Sequence, residues 1–239
     1  MKYVSKFKVG ASQTDSGVGI SVLGVCSIIQ DNVCAFFAEF GKDNVSLKRD
    51  YGAVWVFVKN RIVKRAVAFW NETITVESFI SKRTSATVVV DTVIRKDDGE
   101  VAYYARTESC VIDVKEQRIR RISSVELPEE TGVYPSESGL EFTRWEEDGE
   151  KELYSFIVPS TSIDYCYHLN NVEYLRFILN AVSAEYNGKH VPTDVEIHYV
   201  SQSREGETLT VYGDAGGNFD RYQVVNGGKV SARCRILRT

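Results

Sequence analysis

The sequence repeats one order of elements twice, and this repetition limits the folds that the chain can adopt. In each half a short strand leads through a loop into an apolar helix, and a series of strands follows. Segment 73–76 (Thr-Ile-Thr-Val) corresponds to segment 208–211 (Thr-Leu-Thr-Val), and a glycine-containing hairpin turn precedes the last strand of each half. A fixed order found twice in one chain indicates tandem units of the same fold.

Each half is predicted to be an α+β unit in which an antiparallel sheet wraps one long helix. Apolar residues recur at steps of three and four over 22–40, which predicts a helix that Gly41 ends. A second helix is predicted over about 170–187, with Gly188 as its cap. Alternating and β-branched runs predict strands. The predicted strands are 3–9, 54–58, 73–79, 86–94 and 101–114 in the first half, and 153–158, 194–201, 208–212, 221–225 and 230–237 in the second.

The segment 123–150 differs in composition from its surroundings. It is rich in acidic residues, carries Pro128 and Pro135, and shows little periodicity, which is typical of a linker. We therefore predict a first unit over 1–122, this linker, and a second unit over 151–239. A chain of 239 residues is long enough to fill two hydrophobic cores.

Composition and missing motifs exclude several classes of function. A net charge of -4 argues against a nucleic-acid-binding protein, and no apolar run reaches the about 18 residues that span a bilayer. The five cysteines are widely spaced without a CxxC pair, which predicts thiols in the cytoplasm and neither a disulfide framework nor a zinc site. The chain has no P-loop, no GxGxxG and no GxSxG. We expect no cofactor and no metal.

The segment from 163 to 174 gathers the most reactive side chains of the chain. Asp164, Cys166 and His168 stand at alternate positions, and in an extended segment they would point to the same side. Asn170 and Asn171 follow at the predicted start of the second helix, where backbone N–H groups favour negative charge and would stabilise an oxyanion. These are the parts needed to transfer an acyl group to water.

Each of these residues also has a structural interpretation, which the sequence leaves open. Asp164 has the residue type that initiates turns, Cys166 that of a small core residue, and Asn170 that of a helix N-cap. His168 is interpreted as functional because it stands directly before a helix among reactive neighbours. The other two histidines, His190 and His198, are interpreted as structural.

Segment 164–174, Asp-Tyr-Cys-Tyr-His-Leu-Asn-Asn-Val-Glu-Tyr, resembles the D-x-N-x-H-V-N-N-x-x-Y signature of the acyl-acyl carrier protein (acyl-ACP) thioesterases. A similar order of segments runs along nearly the whole chain. The resemblance implies two tandem hotdog domains, an acyl-chain pocket in the first and catalysis in the second. It also implies acyl-ACP as the partner and release of a free fatty acid. Asp164 and His168 fall on family catalytic residues, and Asn170, Asn171 and Trp55 are expected to bind substrate.

Three positions depart from the family pattern. Cys166 stands where the family has asparagine. In segment 199–203, which resembles Y-x-x-E-C, Gln202 stands at the glutamate and Ser203 at the cysteine. A neutral Gln202 cannot accept a proton but can hold a water molecule. We therefore expect direct attack by water. His168 acts as the base or orients the water, Asp164 supports it, and Gln202 with the helix start binds the carbonyl and the water. Cys166 as a substitute nucleophile stays open.

The sequence leaves two alternatives to an acyl-ACP thioesterase. An acyl-CoA thioesterase would need the same residues, and a non-catalytic acyl-carrier-binding protein would agree with glutamine at position 202. A hotdog dehydratase is disfavoured because the chain has no His-Phe-Pro motif. A homodimer is compatible with the sequence, which does not specify the assembly.

Overall fold

The protein has two compact units, 1–141 and 142–239. The computed structural model describes residues 1–144, 149–214 and 219–239. Each unit consists of an antiparallel sheet and a helix that packs on it, which confirms the predicted α+β class. In the part of the chain that the structure describes, no helix is long and apolar enough to cross a membrane.

The elements of the first unit are β1 (Tyr3–Lys8), α1 (Val22–Ala38), α2 (Asn44–Tyr51), β2 (Ala53–Lys64), β3 (Thr73–Arg83), β4 (Thr87–Lys96), β5 (Val101–Asp113) and β6 (Ile119–Arg120). The strands form a sheet in the order β1-β3-β4-β5-β2, with β6 paired to β5, and every neighbouring pair is antiparallel. The hairpin turn before β5 contains Gly99 in the left-handed conformation, as its Asp-Gly sequence predicts.

Helix α1 forms the core of the first unit together with the sheet. Its apolar residues Val25, Ile29, Val33 and Phe36 are fully buried, since steps of three and four place them on one side of the helix. The Ser21 hydroxyl accepts a hydrogen bond from the Gly24 N–H and so caps the helix start. The helix forms where the sequence predicts it.

The elements of the second unit are β7 (Glu152–Ile157), α3 (Asn171–Asn180), α4 (Ala184–Lys189), β8 (Pro192–Tyr199), β9 (Thr208–Asp214), β10 (Asp220–Asn226) and β11 (Lys229–Arg238). Its sheet has the order β7-β9-β10-β11-β8. Strand for strand, this is the order of the first unit.

The prediction of one helix over 170–187 is wrong, because two helices occupy this range. Helix α3 ends at Asn180, and the Ser183 hydroxyl accepts a hydrogen bond from the Tyr186 N–H, so that α4 starts with its own N-cap. Gly188 lies inside α4 and does not cap it. Because the apolar spacing continues through the break between the two helices, the sequence pattern did not reveal the break.

Two residues of the segment predicted as a linker, Ser136 and Thr143, bond to buried carboxylates. In the first unit, Asp91 is 2% exposed and accepts hydrogen bonds from Arg106 at 2.8 and 3.1 Å and from the Ser136 hydroxyl at 2.5 Å. In the second unit, the fully buried Glu196 accepts from the Thr143 N–H at 2.8 Å and from the Thr143 hydroxyl at 2.9 Å. Residues 145–148 of the predicted linker lie outside the described residues. The roles assigned to the two units stay predictions.

Candidate active site

The loop from 163 to 169, called the second-unit loop below, is a closed turn. Ile163 and Leu169 form an antiparallel bridge at its base. Inside it, the Asp164 N–H donates to the His168 carbonyl at 2.9 Å, and the Tyr167 N–H donates to the Asp164 carbonyl at 2.9 Å. The expected extended segment, with residues 164, 166 and 168 alternating on one side, is therefore not what the chain adopts.

The carboxylate of Asp164 helps to fold this loop. Its Oδ1 atom accepts the Cys166 N–H at 2.8 Å and the His168 N–H at 3.4 Å. Tyr167 has a φ of 63°, a left-handed conformation that an L side chain adopts at a cost of about 1–2 kcal/mol. The hydrogen bonds hold it there. The structural interpretation of Asp164 as a turn residue thus describes at least part of its role.

The start of helix α3 is capped by Asn170, as its residue type allows. The Asn170 side-chain oxygen accepts the Val172 N–H at 2.9 Å, and the Asn170 backbone carbonyl accepts the Glu173 N–H at 3.0 Å. Two of the N–H groups expected to face a substrate are therefore already bonded. Asn171 is the first helical residue, and its carbonyl accepts the Tyr199 hydroxyl at 3.2 Å.

The segment from 201 to 207 lies against the second-unit loop. The Leu169 N–H donates to the Ser203 carbonyl at 2.8 Å, which brings position 203 beside the residue that follows His168. The Ser203 hydroxyl is fully buried and accepts from the Tyr174 hydroxyl at 2.9 Å. Ser203 therefore joins helix α3 to this segment. Gln202, directly before it, has an exposed side chain.

The first unit contains the same loop with the same hydrogen bonds, over residues 14–20, called the first-unit loop. Thr14 and Ile20 form its bridge, the Asp15 N–H donates to the Gly19 carbonyl at 2.9 Å, and the Asp15 carboxylate accepts the Gly17 N–H at 2.9 Å.

The segments that lie against the two loops, 67–72 and 202–207, match as well. The Ile20 N–H donates to the Ala68 carbonyl at 2.8 Å, as the Leu169 N–H does to Ser203; the Phe69 N–H donates to Glu72 at 2.8 Å, as the Arg204 N–H does to Glu207. The two units therefore build one scaffold twice.

The two copies differ in side chain at four matched positions. At these positions the second unit has polar residues, and the first unit has small or apolar ones. The matched pairs are His168 with Gly19, Gln202 with Val67, Ser203 with Ala68, and Arg204 with Phe69.

This match also locates Gln202 relative to His168. A Cβ atom built on Gly19 would lie 2.7 Å from Cγ1 of Val67, so these two positions face each other at contact distance. The corresponding positions in the second unit carry His168 and Gln202. Positions 168 and 202 thus correspond to the pair that is in contact in the first unit. Neither side chain has a hydrogen-bond partner among residues 1–144, 149–214 and 219–239.

The surroundings of the His168 imidazole lower its pKa. Burial lowers its pKa, the nearby Arg204 guanidinium lowers it further, and the Asp164 carboxylate partly opposes these effects. The net pKa lies below the ordinary value of 6.5. A neutral imidazole at neutral pH can accept a proton from water, as a general base must.

Of the remaining predicted residues, Cys166 is half-buried in the second-unit loop, and Trp55 belongs to the core of the first unit. The Trp55 ring stacks on Phe37 with centroids 4.5 Å apart, and its indole N–H donates to the Lys42 carbonyl at 2.8 Å. His198, interpreted as structural, is bonded to the buried Glu196 at 2.9 Å. The sequence analysis did not single out Arg204, whose guanidinium contributes to the lowered pKa of His168.

Comparisons with known proteins agree with the resemblance seen in the sequence. The sequence profile described as acyl-ACP thioesterase C-terminal domain matches residues 145–236. The profile spans nearly the whole of the second unit. The resemblance predicted from segment 164–174 is thereby confirmed. No curated protein sequence matches this chain.

Two solved structures of acyl-ACP thioesterases share the fold along the entire chain. An acyl-ACP thioesterase from Bacteroides thetaiotaomicron has a TM-score of 0.90 and 15% identity, covering 100% of this chain and 98% of its own. The 12:0-ACP thioesterase from Umbellularia californica has a TM-score of 0.84 and 16% identity, covering 100% of this chain and 97% of its own. At this identity the likeness establishes the fold, two tandem hotdog domains.

Substitutions at Asp164 separate its role in folding from that of its charge. Asp164→Ala removes the acceptor of two backbone N–H groups, so we expect it to lower the free energy of unfolding by about 1–3 kcal/mol. Asp164→Asn keeps an oxygen at Oδ1, and we expect it to retain most of that stability. Urea unfolding measures both.

The same two substitutions at Asp15 are the matched control. Asp15→Ala should lose more stability than Asp15→Asn, with smaller effects because Asp15 is exposed. Equal losses for Asn and Ala at position 164 would contradict the assignment of Asp164 to the hydrogen bonds of the loop.

Proposed function

We propose that this protein hydrolyses the thioester of acyl-ACP and releases a free fatty acid. The observation that carries the proposal is the contrast between the two copies of one scaffold. The copy that matches the acyl-ACP thioesterase profile has His168, whose pKa is lowered, and Gln202, whereas the other copy has Gly19 and Val67 at these positions. One equipped copy is what a hydrolase with a single catalytic centre needs.

The reaction follows from a neutral imidazole without a carboxylate base at position 202. His168 accepts a proton from a water molecule while the oxygen of that water bonds to the thioester carbon, and the carbonyl electrons move onto oxygen. When the carbonyl re-forms, the C–S bond breaks and the leaving sulfur takes the proton from the imidazolium. The products are a carboxylic acid and the carrier thiol. Gln202 binds the water or the carbonyl, and Asp164 supports His168.

We assign the two units different parts of this reaction. The second unit is the catalytic one, and the first unit, with its apolar copy of the scaffold, binds the acyl chain. Trp55 is proposed to contact that chain, so Trp55→Phe should change the preference for chain length. Cytoplasmic location and a homodimer are also proposals; light scattering of the purified protein measures the latter.

A thiol-release assay tests the function. The purified protein is incubated with acyl-ACP of several chain lengths and, separately, with the matching acyl-CoA esters, and free thiol is followed with time. A much higher kcat/KM with acyl-ACP than with acyl-CoA supports the proposal. A higher kcat/KM with acyl-CoA would identify the protein as an acyl-CoA thioesterase instead. Tight binding of acyl-ACP with no thiol release from any chain length would reject an enzyme.

Replacing the base should remove most of this activity. We expect His168→Ala to lower kcat at least about a hundredfold, the lower end for loss of a general base. His190→Ala, at an exposed position outside the loop, is the control and should keep its activity. Turnover near that of the natural sequence in His168→Ala would refute the role of His168.

The role of Cys166 can be decided separately. If water attacks the thioester directly, Cys166→Ser should retain kcat within a few-fold, because the hydroxyl leaves the backbone N–H to Asp164 intact. A cysteine nucleophile would instead form an acyl-enzyme, and its serine variant would lose nearly all turnover while remaining folded. Mass spectrometry of the protein during turnover shows whether an acyl group becomes attached.

A further inference from the structure

Arg204 occupies a position that the duplicated scaffold places beside His168. In the first unit, Gly19 and Phe69 form an antiparallel bridge, and these residues match His168 and Arg204. The second unit keeps the local frame, because the Leu169 N–H donates to the Ser203 carbonyl and the Arg204 N–H donates to Glu207, each at 2.8 Å. An arginine thus follows Gln202 and Ser203 at the edge of the site, where the first unit has an aromatic residue.

The guanidinium of Arg204 is available to a ligand. Its side chain is exposed and has no hydrogen-bond or ion-pair partner among the described ranges 1–144, 149–214 and 219–239. The charged groups that act on the His168 imidazole are Arg204 and Asp164. Two other arginines of this unit have partners: Arg176 pairs with Glu173 at 3.0 Å, and Arg238 pairs with Asp220 at 2.6 Å.

The site needs a group that stabilises negative charge on the substrate. At the start of α3 the N–H groups of Val172 and Glu173 are bonded to Asn170, and the Ser203 hydroxyl is bonded to Tyr174. These three groups are therefore already bonded, whereas the side chain of Gln202 has no partner among the described residues. A guanidinium offers several N–H donors in one plane and a full positive charge, which fits both an oxyanion and a carboxylate.

We infer that Arg204 is a catalytic residue that contacts the substrate. Its guanidinium binds the thioester oxygen as this atom gains negative charge during attack by water, and then binds the carboxylate of the released acid. The inference rests on the proposed thioesterase function for the addition step. Binding of the carboxylate product is a property that can be measured without turnover.

Kinetics of three variants test the addition step. Arg204→Gln should lower kcat by about tenfold to a hundredfold with little change in KM, because one donor to the oxyanion is lost at an exposed position. Arg204→Lys should recover part of this loss, since it keeps the charge without the planar donor pair. Arg176→Gln removes an arginine of α3 that is 47% exposed, and its kcat should stay within about twofold because its effect is confined to a surface ion pair.

The pH dependence of kcat/KM provides a readout that a structural role would not move. His168 acts as a base when neutral, so the rate rises with pH through its pKa. Arg204 lowers the pKa of His168. Removing the cation in Arg204→Gln raises this pKa, and the acidic limb should therefore shift to higher pH. In Arg176→Gln the limb should stay in place.

Titrations without substrate distinguish failure of this inference from failure of the proposed function. The chain has three histidines, so NMR can follow the His168 ring against pH in each variant. Binding of the saturated fatty acids from octanoate to hexadecanoate is measured by calorimetry. We expect Arg204→Gln to raise the pKa of His168 and to weaken binding of the acid about tenfold relative to Arg176→Gln, as for loss of one charge-assisted contact.

The outcomes lead to different conclusions. If the natural protein hydrolyses no thioester but binds the acid through Arg204, the proposed function fails and the anion site stands. If Arg204→Gln leaves kcat, the pKa of His168 and the affinity for the acid unchanged, the inference about Arg204 is overturned while the proposed function is unaffected.

Discussion

The hydrogen bonds between an aspartate carboxylate and the backbone N–H groups after it are the interaction on which both loops depend. In each unit this carboxylate and one antiparallel bridge close the turn that leads into the long helix. The closure also holds an L residue at a φ near 60°, Val18 in one loop and Tyr167 in the other. Such a conformation persists when the surrounding bonds determine it more strongly than the side chain opposes it.

Having two copies of one scaffold allows folding and chemistry to be assigned to different residues. Asp15 and Asp164 make corresponding bonds, so this part of the role of Asp164 belongs to the fold. His168 has no such counterpart, because Gly19 stands in its place. Burial and the nearby Arg204 guanidinium lower the pKa of this imidazole, and the side chain of Gln202, at the position matched with Val67, is uncharged.

The sequence predicted the fold well because the fold depends on patterns that are local. The period of α1, the glycine turns before β5 and β11, and the recurrence of the whole order are all visible in the printed residues. The break between α3 and α4 was missed because Ser183 interrupts the helix without interrupting the apolar spacing. The pattern at positions 164, 166 and 168 suggested an extended segment, since alternation alone cannot distinguish such a segment from a turn whose carboxylate bonds to its own backbone.

The site could be predicted only in part because its two segments are distant in sequence. The bond from the Leu169 N–H to the Ser203 carbonyl brings them together, and no spacing rule anticipates it. Motif comparison pointed to His168 and Gln202, yet it passed over Arg204, which lies just past the compared segment. The fold-level contact, and the apolar residues at the matched positions of the first unit, made that residue visible.

Gly19 has a consequence for how the two halves could diverge. Any side chain there would begin 2.7 Å from Cγ1 of Val67, so a histidine cannot enter the first-unit loop unless position 67 changes or moves. In the second unit the matched pair is His168 and Gln202, so an imidazole at position 19 would require a change at position 67 as well. Positions 19 and 67 are therefore coupled, and a substitution at either one restricts the residues that the other accepts.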